Sequence, residues 1–170
     1  MIWASVISLF VFALTAALHF GLLFKLDRSL SAIADRGLVT WTAAFCLIGA
    51  LHVLEAGIYA AALSLGASSG LGAFDSAPSA IAGMDIFYFA LVSYTSLGLG
   101  DIVPTGHLRL IAGIASLNGF LLISCSAAFL FRLVSRSASD REVVAETQIR
   151  QPRNRSGARH VAHRPKPNGE

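Results

Sequence analysis

Three long apolar segments alternate with short polar segments along this chain. Residues 2–24 carry no charged side chain, residues 38–65 carry only Glu55, and residues 110–131 again carry none. At about 1.5 Å per helical residue, each segment as a helix reaches at least ~33 Å, which is enough to cross the hydrocarbon core of a bilayer. We therefore predict three transmembrane helices. The first is expected to be retained, because it lacks the basic start of a secretory signal and is long for one.

A fourth apolar segment is too short to span. Residues 86–95 are rich in aromatic side chains and follow Asp85, whose carboxylate suits a helix amino terminus. A helix of about ten residues fits a re-entrant element, which is tolerated at membrane depth when it is buried in protein or lines water. The small and polar residues of 66–83 predict an exposed loop before it.

The composition excludes an ordinary soluble domain. Of the 170 residues, 55% are hydrophobic and 14% are charged, and the mean hydropathy is +0.65. The two cysteines, Cys46 and Cys125, both lie inside apolar segments. We interpret them as buried free thiols that act as small apolar residues.

The positions of the basic residues predict the orientation. Three basic residues lie in the polar segment 25–37, and Arg132 and Arg136 follow the third apolar segment. Because basic loops favour the cytoplasm, both positions are expected inside. The amino terminus is then outside and the carboxyl terminus cytoplasmic, as three crossings require.

The chain divides into three parts. Residues 1–37 are the first helix and its cytoplasmic loop, residues 38–134 hold the remaining apolar elements, and residues 135–170 form a tail. The tail has eight basic and four acidic residues, three prolines and little apolar content. We predict a disordered tail that contacts anionic lipids. Nothing beyond charge supports nucleic-acid binding.

The most distinctive stretch is Tyr-Thr-Ser-Leu-Gly-Leu-Gly-Asp at residues 94–101. Gly98 and Gly100 at alternate positions permit an unusual extended backbone, whose carbonyls can replace the hydration shell of a cation. From Ser96 to Gly100 such a backbone spans about 13 Å. The alternative is a glycine-rich turn of no special function.

This stretch resembles the selectivity filter of the potassium-channel pore-loop family, whose usual pattern is Thr-Thr-Val-Gly-Tyr-Gly-Asp. The chain departs from that pattern at Ser96, Leu97 and Leu99. The resemblance covers roughly residues 38–133, and the extra first helix and residues 118–122 are similar to a small bacterial group of three-helix ion-channel proteins. It implies an all-α membrane protein with a pore helix and filter loop between the second and third transmembrane helices, assembled as a homotetramer.

The resemblance also implies site residues. Backbone oxygens of the filter would bind the ion, Thr95 and Asp101 would lie at the outer mouth, and Gly119 would be a gating hinge or a point of close helix packing. Asn118 is expected to face a water-filled cavity or to bond a neighbouring helix, the cavity being favoured. The expected ion-binding residues are Ser96, Leu97, Gly98, Leu99 and Gly100.

Glu55 is expected at the depth of the pore loop, with His52 on the same helical face. A buried carboxylate in a membrane is costly and usually functional, and we expect both residues to support the filter. One such pair supplies only two metal ligands, so we expect no metal beyond the permeant cation. His19 is interpreted as a neutral histidine near the interface.

The expected function is passive cation conduction, with potassium as the permeant ion and no cofactor, in a bacterial plasma membrane. A weakly selective sodium and potassium channel is one alternative. A non-conducting regulatory membrane subunit is another. The sequence shows no catalytic nucleophile or phosphate loop, so an enzyme is not expected.

Overall fold

The computed structural model describes residues 2–31, 37–75 and 83–150. These residues form four helices and two very short strands. In chain order they are α1 (Ile2–Ser31), α2 (Leu38–Ser68), β1 (Phe74–Asp75), α3 (Gly83–Tyr94), β2 (Val103–Pro104) and α4 (Leu108–Arg150).

The predicted fold class is confirmed. Three helices are long and apolar enough to cross a membrane, over Ile2–Leu30, Leu38–Ser68 and Leu108–Arg136. The short helix α3 lies between the second and third of them, at Gly83–Tyr94. The elements thus follow the order that the hydrophobic pattern predicts.

The helix ends differ from the prediction. The helix α1 continues past residue 24 to Ser31, because nothing in its polar last turns breaks a helix. Gly66, expected at the end of α2, is still helical and packs against Leu108, where an added Cβ would come within 2.8 Å of the leucine side chain. The helix ends instead before Gly70, whose φ of 73° suits a left-handed carboxyl cap.

The predicted start of the disordered tail, at residue 135, lies within a helix. The helix α4 continues to Arg150, since residues 135–150 contain no glycine or proline and are rich in alanine, glutamate and arginine. Residues 151–170 lie outside the described residues. The chain forms two compact units, residues 1–130 and 131–170, and in the second the described residues are the remainder of α4.

A small antiparallel ladder joins the segment after α2 to the segment after residues 96–100, which we call the filter stretch after the resemblance described above. Phe74 pairs with Pro104 and Asp75 with Val103, and the Thr105 amide donates to the Ala73 carbonyl at 2.7 Å. Part of the region 66–83 is therefore ordered by pairing, although it was expected to be an exposed loop. The ladder fixes the residues that leave the filter stretch against those that precede α3.

The core is a cluster of buried residues contributed by all four helices, in which α2 packs against both α1 and α3. Its members are mostly alanine, leucine and tyrosine, with Val11 of α1 among them. The cysteines do not belong to it: in the single chain Cys46 is exposed and Cys125 is half-buried. Cys46 is thus not covered by the other described helices of the same chain, because it lies on a different face of α2 from the buried Ala44 and Ile48.

Candidate functional site

The stretch after α3 has the backbone that its glycines permit. Positive φ values occur at Ser96 (59°), Gly98 (59°) and Gly100 (79°), at every second residue. Such values are uncommon for a residue with a side chain, so Ser96 is held in a conformation that few residues adopt. Along this segment, residues with positive φ therefore alternate with residues whose φ is not positive.

The beginning of this stretch is tied to the last turn of α3. The Leu97 amide donates to the Val92 carbonyl at 3.0 Å, and the Ser96 amide donates to the Ser93 carbonyl at 2.9 Å. These bonds satisfy carbonyls that a helix end leaves without intrahelical partners. The carboxyl end of α3, with its partial negative charge, therefore directly adjoins the stretch.

Thr95 does not lie with Asp101. Its hydroxyl donates to the Leu91 carbonyl at 2.9 Å, within the end of α3. Asp101 instead lies near the Tyr88 hydroxyl, whose pKa it raises. Tyr88 precedes Thr95 by seven residues, which is about 10 Å along a helix. The expectation that both residues share the outer mouth is corrected, because Thr95 is at the end of the stretch where the chain leaves α3.

The Tyr88 contact was not anticipated from the sequence. Its hydrogen bond to the Asp101 carboxylate raises the pKa of Tyr88, since loss of the phenolic proton would place two negative charges side by side. The Ser96 hydroxyl, expected at an ion position, lies 2.9 Å from the Ser116 hydroxyl of α4.

Leu97 and Leu99 are uncovered in the single chain. Their exposed fractions are 64% and 57%, although both are large apolar side chains. The described residues of one chain leave more than half of each of these side chains uncovered. A lone copy therefore leaves this stretch without the apolar support that its composition requires.

The last residue of α3 is bound by both residues that were expected to support the filter. The Tyr94 hydroxyl donates to Glu55 Oε2 at 2.5 Å and lies 3.0 Å from His52 Nδ1. Tyr94 and Glu55 are fully buried. The side chains of α2 thus reach the point where α3 passes into the filter stretch.

His19 of α1 completes this group, although the sequence suggested only a neutral histidine near the interface. It is fully buried, and its Nδ1 lies 3.1 Å from Glu55 Oε1. The Ser126 hydroxyl of α4 lies 3.2 Å from His19 Nε2 and 3.1 Å from His52 Nε2. We call His19, His52, Glu55, Tyr94 and Ser126 the buried polar cluster.

The sequence offered only a weak signal for the cluster. A histidine inside an otherwise uncharged span and a carboxylate inside another are each costly alone, and their mutual pairing would have removed that cost. Tyr94 and Ser126 gave no such signal. The cluster joins all four helices.

Asn118 and Gly119 of α4 pack against the other helices. The Asn118 amide donates to the hydroxyls of Thr15, at 2.5 Å, and Tyr59, at 2.9 Å, and the residue is fully buried. This is the neighbouring-helix alternative, not the favoured cavity. A Cβ added to Gly119 would lie 1.9 Å from the Tyr94 carbonyl oxygen, so glycine is required there for close packing.

Comparison with known protein families gave one result. Residues 60–136 match the ion channel family. The matched range contains α3, the filter stretch and the membrane-crossing part of α4. The matched family is one of ion channels, not of enzymes. The range begins after α1 and after the cluster residues His19, His52 and Glu55, and therefore does not include them. No curated protein and no solved structure matched the chain.

Proposed function

We propose that this protein is a passive cation channel, with potassium as the preferred ion and residues 96–100 as its selectivity filter. The observation that carries the proposal is the alternation of positive φ at Ser96, Gly98 and Gly100, directly after a short helix within the range that matches the ion channel family. Backbone of this kind can present carbonyl oxygens to a dehydrated cation.

The mechanism needs only the chain's own groups. Filter carbonyls replace water around the ion, and repulsion between adjacent ions drives them onward. The carboxyl end of α3 adjoins the start of the filter, where its partial negative charge favours a cation. Asp101, exposed at the other end, raises the local cation concentration at the mouth.

Conduction requires assembly, and a homotetramer is the expected state. One filter stretch cannot enclose a pore, so several copies must surround the ion path. The exposure of Leu97 and Leu99 in the single chain supports this, because neighbouring copies would cover them. In a bacterial plasma membrane the amino terminus is placed outside and the carboxyl terminus in the cytoplasm, from the distribution of basic residues.

Selectivity is the finer part of the proposal. Leu99 stands where the family pattern has tyrosine, and it has no hydroxyl with which to brace the filter. Preference for potassium is therefore expected to be less sharp than in a Gly-Tyr-Gly filter, and weak discrimination between sodium and potassium is the alternative with the same architecture.

The direct test is potassium flux into liposomes that contain the purified protein. The wild type should conduct, and Gly98→Val should not, because a β-branched residue cannot readily adopt a φ of 59°. Gly49→Val is the matched control, since an added Cβ there meets nothing within 4 Å, and it should conduct as the wild type does.

Two results would contradict the proposal. Undiminished flux in Gly98→Val, with the wild-type level of inserted protein, would refute the filter assignment. Absence of any flux in correctly assembled wild type would favour a non-conducting membrane subunit instead.

A further inference from the structure

The buried polar cluster has the composition of a metal site. The nitrogen atoms of His19 and His52 and the carboxylate of Glu55 each offer one ligand atom, and these atoms lie within 4.8 Å of one another. From the sequence only His52 and Glu55 could be paired, which is too few ligands. The third comes from α1, a helix whose contact with Glu55 the sequence did not reveal.

The two distances from the imidazole nitrogens to the carboxylate are close to those between ligands of a tetrahedral metal ion. His19 Nδ1 lies 3.1 Å from Glu55 Oε1, and His52 Nδ1 lies 3.3 Å from Glu55 Oε2. Ligands about 2.0 Å from a zinc ion at tetrahedral angles are about 3.3 Å apart. Two imidazoles and one carboxylate with an open fourth position form a common zinc ligand set. The Tyr94 hydroxyl lies 3.0 Å from His52 Nδ1 but donates to Glu55 Oε2 at 2.5 Å, so it holds the carboxylate and does not occupy the fourth position.

Ser126 supplies a second and independent observation. Its hydroxyl oxygen lies 3.1 Å from His52 Nε2 and 3.2 Å from His19 Nε2. Histidines that bind a metal through one nitrogen usually donate the other ring N–H to an oxygen that fixes the ring. The two lone pairs of one serine oxygen can accept from both rings at once.

With both imidazoles neutral, the buried polar cluster has one proton too few for its hydrogen bonds. If both neutral rings donate through Nδ1 to the Tyr94 and Glu55 oxygens, Ser126 has one proton for two Nε2 acceptors, and one acceptor is left without a donor. Either a second proton on one ring or a metal ion at the Nδ1 atoms removes this shortage, and with the metal ion each ring carries its one proton on Nε2. The same cation neutralises the buried carboxylate of Glu55, which is costly to leave uncompensated in a membrane.

We propose that the buried polar cluster binds a divalent transition-metal ion of the zinc type through His19, His52 and Glu55, with Ser126 as the residue that positions both imidazoles. The site joins α1 to α2 beside the last residue of α3. The position of the pore helix would thus depend on a divalent cation. This proposal does not depend on conduction, since binding can be measured without any ion flux.

Zinc binding should be measured on the full chain in detergent, after dialysis against a chelator and then against zinc. His160→Ala and His163→Ala should be introduced throughout, to remove the two imidazoles of the tail. This background protein should retain about one zinc ion per chain. His19→Ala and Glu55→Gln should retain none, whereas His107→Ala, which removes a histidine outside the cluster, should bind as the background does.

A second measurement keeps the test valid if a ligand variant fails to fold. The background protein loaded with cobalt should show the visible absorption of a tetrahedral Co²⁺ centre. Ser126→Ala should weaken zinc binding by about 10- to 100-fold, while Ser124→Ala, on the same helix but bonded to the Phe120 carbonyl, should not. If the background protein retains no zinc, or if His19→Ala retains as much, the cluster is a hydrogen-bonded network only and the proposal is wrong.

Discussion

Replacing Tyr94 by phenylalanine tests how strongly the buried polar cluster holds the end of α3. The change removes one hydroxyl and keeps the ring, which is fully buried. That hydroxyl donates to Glu55 Oε2 at 2.5 Å, and no cavity larger than an oxygen atom is created. The perturbation is therefore close to the loss of one hydrogen bond.

The magnitude follows from the charge of the acceptor. A hydrogen bond to an ionised group contributes about 1.5–3 kcal/mol to stability, so the folding equilibrium should shift by about 10- to 150-fold. Glu55 keeps the contacts of its carboxylate with His19 and His52, which limits the loss to this range. A full desolvation penalty for an unpaired carboxylate is not expected.

Reversible chemical unfolding in detergent, followed by circular dichroism, gives the free energy of unfolding. A double-mutant cycle with Glu55→Gln separates the bond from other effects of each substitution. Tyr88→Phe is the matched control, because its hydroxyl faces the exposed Asp101, and it should change the free energy of unfolding far less than Tyr94→Phe does.

Two outcomes would refute this reasoning. One is an unchanged free energy of unfolding in Tyr94→Phe. The other is a coupling energy near zero between Tyr94 and Glu55, which would mean that the contact does not stabilise the protein.

Two further predictions concern the pore. Gly119→Ala should lower the yield of assembled protein in size-exclusion chromatography and abolish flux, because its Cβ would collide with the Tyr94 carbonyl. Gly113→Ala is the control on the same helix. It should be tolerated in both assays, because the space around Gly113 is open. Leu99→Tyr should raise the ratio of potassium to sodium permeability by about 5- to 30-fold, which corresponds to 1–2 kcal/mol; an unchanged reversal potential would show that the residue at this position does not limit selectivity.

The sequence predicts the helices well because their cause is local. Long uncharged segments must be buried in lipid whatever they pack against, and the aromatic segment before Tyr94 is too short to span. The backbone of the filter stretch was equally accessible, since Gly98 and Gly100 permit positive φ wherever the segment lies.

The contacts between helices were not accessible in the same way. Which face of α1 meets α2 depends on how the helices rotate and cross, so a single sequence does not show that His19 reaches Glu55. Asn118 was ambiguous for the same reason, because a polar side chain on an apolar helix satisfies itself equally well in water or on another helix. The two-residue strands depend on pairing between residues about 30 positions apart in the sequence, and they carry no periodic signal of their own.

The most direct test of the central claim is the reversal potential of the wild-type protein in a planar bilayer, with potassium on one side and sodium on the other. Conduction through a carbonyl filter at residues 96–100 predicts a current that reverses at a potential displaced toward the potassium equilibrium potential. A current that reverses at zero under the same gradient would contradict potassium selectivity, and the absence of any current from assembled protein would contradict the channel itself.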